Sequence, residues 1–257
     1  MISTNLSQKW QLTWFLAKTD FKLRYSNSLL GFLWSMLKPL AVFSILSFVF
    51  QNIFKLSASH FYLRILTGLL LFFFFSECTT FGLNSLLSKG HLLTKIDFPK
   101  WIIVLSSTIN TMMTFSINIL ITIIFFLIAG VIPSIMAMAN FLFFLILLLM
   151  ISIGSVFILA PLFVKFRDIS QIWEILILVI MYSAPIVYPL TAIPEQYHKY
   201  HFINPLTSIV YYTIEGIFEN QYPPAYIYLF LTILFSTFFI LSLLIFNSMS
   251  KKTPEYI

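Results

Sequence analysis

Six stretches of this chain run apolar for about twenty residues or more, with few charges to interrupt them. They fall at residues 30–54, 61–87, 101–129, 135–164, 172–190 and 226–246. A run of that length is what a helix needs to cross about 30 Å of hydrocarbon. In lipid the backbone must close its own hydrogen bonds, and within one short segment only a helix does so. The spacing therefore predicts an all-α integral membrane protein with six transmembrane helices. A soluble alternative fails on charge. Only 9% of the residues are charged, against about 25% in an ordinary soluble domain. No stretch is polar enough for a separate soluble domain, so a single membrane domain is expected. Residues 1–28 lead into it, residues 30–246 form the six-span core, and residues 247–257 are a tail.

The basic residues orient the chain. With the N-terminus in the cytoplasm, the inner side carries Lys9, Lys18, Lys22, Arg24, Lys38, Lys89, Lys95, Lys100, Lys165, Arg167, Lys251 and Lys252. The outer side carries only Lys55, Arg64 and Lys199. Such a bias is the positive-inside pattern, and an even number of spans puts both termini in the cytoplasm. The same pattern accounts for the net charge of +6. No basic patch belongs to a soluble fold, so nucleic acid is not an expected partner. The single cysteine, Cys78, lies in an apolar run and cannot form an intrachain disulfide. No cleavable signal peptide is expected, because the first apolar run follows a basic, Trp-containing segment.

Two segments do not read as spans. Ser7–Tyr25 places Trp10, Trp14, Ala17 and Phe21 at helical spacing, with Gln11, Lys18 and Lys22 beside them. This suits an amphipathic helix in the headgroup layer, where Trp and Lys are favoured; packing against other protein is the alternative. The segment from Ser183 to Pro224 holds Pro185, Pro189, Pro194, Pro205, Pro223 and Pro224. That region is too rich in proline for full spans, yet 209–218 is apolar. A re-entrant helical hairpin in the outer leaflet satisfies both facts.

Specific residues then carry a likeness. The run Asp20-Phe21-Lys22-Leu23-Arg24-Tyr25, followed by Ser28-Leu29-Leu30-Gly31-Phe32-Leu33-Trp34 and Pro39-Leu40, resembles the entry to the first span of ABC-2-type polysaccharide export permeases. Gly68-Leu69-Leu70 with Phe73 to Glu77 looks like their second span. Asn84, Leu87, Lys95, Phe98, Pro99 and Lys100 look like their cytoplasmic loop. Arg167-Asp168-Ile169 follows the fourth span. Then come Ser183-Ala184-Pro185-Ile186-Val187-Tyr188, Pro194 and Asn204-Pro205-Leu206. The ordered set is most similar to the O-antigen exporters, with teichoic acid and capsule exporters as cousins. The departures are Leu71-Phe72 in the second span, where relatives tend to show Pro-Trp, and Tyr211, Tyr212 and Glu215 after the Asn-Pro segment.

The resemblance implies a homodimer in the bacterial inner membrane, working with two copies of a cytoplasmic ABC ATPase. It implies export of an undecaprenyl-diphosphate-linked polysaccharide along a path lined partly by the first and fifth spans. No Gly-x-x-x-x-Gly-Lys-Ser/Thr loop occurs, so ATP and Mg are expected in the partner and no cofactor in this chain. A docking ATPase would meet the short inner loops. The candidates are Leu86, Leu87, Lys89, His91, Leu92, Lys95, Phe98 and Pro99, read as a short amphipathic helix over 86–93 stopped by Asp97-Phe98-Pro99, together with Arg167 and Asp168. Helix-in-groove binding is the physical mode; an ordinary basic loop and a local ion pair or cap are the alternatives. Lys22, Arg24 and Lys38 lie near the inner headgroup plane and suit a lipid diphosphate head, or simply anionic lipid. Candidates for the path or gate are Trp34, Glu77, Tyr182, Pro185, Tyr188 and Tyr212. The tyrosines serve equally as an interfacial belt. Glu77 in lipid must be protonated, paired or facing water. Arg64 can snorkel outward.

A different class of function also fits some residues. Glu195, His198 and His201 recur at i, i+3 and i+6 and could serve a membrane-embedded enzyme. A small-molecule ABC-2 exporter and a passive channel are further readings, the latter weakened by the lack of a charged ring.

Overall fold

The computed structural model describes residues 5–26, 28–50, 60–95 and 98–250. The end of the first apolar run (51–54), Lys55, Asp97, Lys251, Lys252 and the rest of the tail lie outside the described residues. The described chain is helical: α1 (Leu6–Tyr25), α2 (Trp34–Phe48), α3 (Phe61–Ser88), α4 (Gly90–Lys95), α5 (Trp101–Ile128), α6 (Ile135–Lys165), α7 (Ile169–Ser183), α8 (Glu195–His201), α9 (Pro205–Phe218) and α10 (Ala225–Ser250). Among the described residues four helices, α3, α5, α6 and α10, are long and apolar enough to cross a membrane, and α2 and α7 are shorter apolar helices.

The ends of the helices follow local chemistry. Gly130 takes φ +68° in the turn between α5 and α6, a conformation that costs glycine little. Ser134 then caps α6, its Oγ accepting from the Ala137 N–H at 3.1 Å. The apolar run at 172–190 predicts a helix to Leu190, but α7 stops at Ser183. Ala184 is extended with ψ 146°, because a residue before proline is pushed out of the helical region and Pro185 has no N–H to give. The interval expected as a hairpin holds two short helices, α8 and α9. Asn204 joins them to α7: its Oδ1 accepts from the Leu206 N–H at 3.0 Å, capping α9, while its Nδ2 donates to the Ile180 carbonyl at 2.9 Å.

Burial does not follow apolarity. α3 is the least apolar of the four long helices and the most buried, while the much more apolar α10 is the least buried. Apolar side chains gain nothing by leaving lipid for protein, so a central membrane helix can carry polar groups that a lipid-facing one cannot. α3 touches α2, α5, α6, α7 and α9. It meets α6 where Gly82 faces Val156 so closely that an added Cβ would lie 2.3 Å from Val156 Cγ1. α10 covers α6 at Gly154, against Phe238 and Ser242.

Asn140, buried in the apolar α6, ties three helices. Its Nδ2 donates to the Tyr212 carbonyl of α9 at 2.8 Å, and its Oδ1 accepts from the Tyr228 hydroxyl of α10 at 2.6 Å. Bonds between membrane helices contribute about 0.6–2 kcal/mol each. Asn140→Leu is therefore expected to destabilise the packing of α9 and α10 by about 1–3 kcal/mol, read as a lower melting temperature in detergent. An unchanged melting temperature would remove Asn140 from this role.

Candidate functional site

The chain ends of the helices sort into two sides. At the basal end Lys100, opening α5, donates to the carbonyl of Ser250, closing α10. At the distal end Ser134, opening α6, meets Asn220 and Tyr222 between α9 and α10. There too Arg64, near the start of α3, pairs with Glu215 at 3.1 Å and with Glu219, its guanidinium over the Phe218 ring. Arg64 thus binds α3 to α9 rather than reaching out to water.

Helix α1 belongs to the basal end and packs on α5. Thr13 and Ala17 are fully buried, and Asn110 of α5 donates to the Ala17 carbonyl at 3.5 Å. Asp20 and Arg24 continue the same face. Ala17 therefore does not belong to a lipid stripe, and the Trp10 and Trp14 rings lie exposed beside the packed face. Lys89, between α3 and α4, is buried and donates to Asp20 and to Ser106 Oγ of α5, the latter at 3.1 Å.

The expected docking helix over 86–93 does not form as one unit. α3 runs to Ser88, the chain breaks at Lys89 (φ −108°, ψ 18°), and α4 takes Gly90–Lys95. Leu86 and Lys89 are buried, whereas His91, Lys95, Arg167 and Asp168 are exposed and Leu87, Leu92, Phe98 and Pro99 partly so. Ser106, Ser107 and Thr111 donate to carbonyls of their own helix, and the links across helices come from Lys89, Asn110 and the Cys78–Thr108 contact.

Where α1 ends and α2 begins, a half-open cavity of about 400 Å³ is lined by Arg24, Ser28, Gly31, Trp34, Ser35, Lys38, Ser76, Glu77, Thr80 and Phe81. It gathers two candidates for an anionic head, Arg24 and Lys38, with two for a path, Trp34 and Glu77. Lys22 is exposed on another face of α1 and is not part of it. Arg24 Nη2 donates to Glu77 Oε1 at 3.4 Å, and its guanidinium lies 4.0 Å from the centre of the Phe81 ring. The lining thus offers two cations, one carboxylate, several hydroxyls and two aromatic rings. Such a set has the chemistry to hold a phosphate by charge-assisted hydrogen bonds. Ser76, Glu77, Thr80 and Phe81 are one helical turn apart. That cluster of polar and aromatic residues on one side of α3 was visible in the sequence, but its hydroxyls were not singled out.

The remaining candidates lie at the distal end. Tyr188 and Pro185 line a small cleft with Arg64, Tyr211 and Glu215, and the Tyr188 hydroxyl donates to the Tyr182 carbonyl at 2.7 Å. Tyr212 stacks on Phe144 instead. The histidines of α8 do not converge with Glu195: His198 Nε2 lies 2.8 Å from the Ile193 carbonyl and His201 Nδ1 2.9 Å from that of Ser183. Each ring is engaged with a different carbonyl, which counts against the acid–base or metal reading. Among the described residues no cluster of three or more His, Cys, Asp or Glu could hold a metal.

The chain is similar in sequence to known proteins. The chain is 27% identical over 254 residues to an O-antigen export system permease protein of Klebsiella pneumoniae, covering 98% of this chain and 96% of that one. It is 24% identical over 212 residues to the protein of that name in Myxococcus xanthus, covering 82% and 81%. It is 26% identical over 206 residues to a polysialic acid transport protein of Escherichia coli, covering 77% and 78%. A family model described as ABC-2 type transporter matches residues 11–222. By that match, over most of its length, the chain belongs to the ABC-2 type transporter family of membrane proteins.

Proposed function

We propose that the chain is the permease subunit of an ATP-driven exporter that carries an undecaprenyl-diphosphate-linked polysaccharide, of the O-antigen class, across the bacterial inner membrane. α2, α3, α5, α6, α7 and α10 are its six crossings, α8 and α9 its outer re-entrant hairpin, and both termini are cytoplasmic. Two copies form the path between them, and two copies of a separate ATPase supply ATP and Mg. The observation that carries this reading is the cavity holding Arg24 and Lys38 at the basal end. It lies on the same side as the basic loops, where a lipid diphosphate would enter from the inner leaflet. The names of the relatives support a glycan as cargo. His91, Leu92, Lys95, Phe98, Pro99, Arg167 and Asp168 form the surface offered to the ATPase, with Leu87 behind them. Tyr182, Pro185 and Tyr188 line the exit, and Tyr212 braces it.

Arg24→Gln tests the reading. Losing a hydrogen bond to a charged group costs about 1.5–3 kcal/mol, so surface glycan in a complemented deletion strain is expected to fall about tenfold or more, at normal membrane levels of the permease. Normal surface glycan in the deletion strain itself would overturn the function.

A further inference from the structure

The Arg24–Glu77 contact is built loosely for two opposite charges at close quarters. It uses one guanidinium nitrogen and one carboxylate oxygen at 3.4 Å. Charge-assisted bonds of good geometry are about 2.7–2.9 Å, and arginine commonly holds a carboxylate or phosphate with two parallel bonds. The guanidinium does not depend on Glu77 for its position, since the Phe81 ring supports its face at 4.0 Å. Both side chains are only about one-fifth exposed, so neither charge is well served by water. Lys38 lines the same cavity from α2, with Ser28, Ser35, Ser76 and Thr80 around it.

We propose that Glu77 is an internal stand-in for the substrate's anionic head: it holds Arg24 between transport cycles and yields it to the diphosphate of an incoming isoprenyl-linked glycan. The proposal rests on the function proposed above and assigns Glu77 a part in it. The charges explain the exchange. With Glu77 on Arg24 the lining carries one net positive charge. When Glu77 turns away, a diphosphate with a negative charge on each phosphorus meets both Arg24 and Lys38. Arg24 can then form the bidentate contact that Glu77 does not. A ligand with a single negative charge cannot displace the carboxylate and engage both cations, so the exchange selects for diphosphate over the single phosphate of bulk lipid.

Binding to the purified permease–ATPase complex in nanodiscs tests this, with undecaprenyl diphosphate and phosphatidylglycerol as separate probes. Glu77→Gln is expected to tighten undecaprenyl diphosphate binding about tenfold, to leave phosphatidylglycerol binding unchanged, and to slow export because release is impaired. Arg24→Gln is expected to weaken diphosphate binding. The double variant is expected to bind as Arg24→Gln does, since Glu77 acts only through Arg24. Weaker diphosphate binding in Glu77→Gln overturns the exchange while the diphosphate site stands. Equal tightening for phosphatidylglycerol overturns the selectivity, and a double variant that binds more tightly than Arg24→Gln overturns the route through Arg24. No effect of Arg24→Gln on binding removes the site itself, and the proposed role with it.

Discussion

Gly82→Ala is expected to disrupt the packing of α3 against α6 and to lower the melting temperature of the detergent-solubilised protein by about 5–10 °C. An alanine Cβ would sit 2.3 and 2.4 Å from the two Cγ atoms of Val156 and 2.9 Å from its Cβ. The valine cannot turn aside, because a β-branched side chain in a helix has one strongly preferred rotamer. The two helices must separate instead, and overpacking of this kind costs about 1–3 kcal/mol or more. Gly68→Ala should be milder, since its nearest neighbour, the Ile186 Cγ2 methyl, lies at 3.2 Å. Adding Val156→Ala to Gly82→Ala removes two of the three clashes and should restore part of the loss. Thermal unfolding followed by size-exclusion chromatography reads all of these. An alanine at Gly82 that melts like the wild type would show that α3 and α6 do not approach as described.

The second large effect is expected at the Asp20–Lys89 pair. The Lys89 side chain is 11% exposed and that of Asp20 32%. Removing one member of a fully buried pair costs about 3–5 kcal/mol, because the other charge is left behind. The partial exposure of Asp20 reduces this to about 1–3 kcal/mol. The two single variants should not be equal. Asp20→Asn leaves the more deeply buried charge alone and should be the more damaging, while Lys89→Met leaves an aspartate that water can reach. The double variant should be more stable than Asp20→Asn. Export should fall in every case, because the pair fastens α1 to the junction of α3 and α4, beside the loops proposed above to meet the ATPase. Melting temperatures in the reverse order would show that Lys89 is not buried against α1.

The long helices were legible because lipid permits so few alternatives: an apolar run without charge can only be a helix, and α5 and α6 begin where the runs do. The end of α7 was harder. Pro185 was in plain view, but the apolar residues 184–190 concealed that the helix had already stopped. The packed face of α1 follows a different rule. A stripe of large apolar residues marks the packed side of a soluble helix, whereas small and polar residues mark it among membrane helices. Thr13, Ala17, Asp20 and Arg24 are such a set. Asn140 left a usable signal, an amide alone in the most apolar span. Arg24 and Glu77 left none, for they are 53 positions apart and no local periodicity pairs them. Lys89 looked like one more basic loop residue, and only the turn at the end of α3 directs it inward.

The brevity of α7 has a consequence for the surrounding bilayer. At 1.5 Å per residue its 15 residues extend only about 22 Å, several ångströms less than the hydrocarbon they would traverse. Its neighbours α3 and α6 have no such deficit. As one of the crossings proposed above, α7 would require the lipid beside it to compress. A second copy of the chain seated there would relieve the compression, which makes acyl-chain length a lever on assembly.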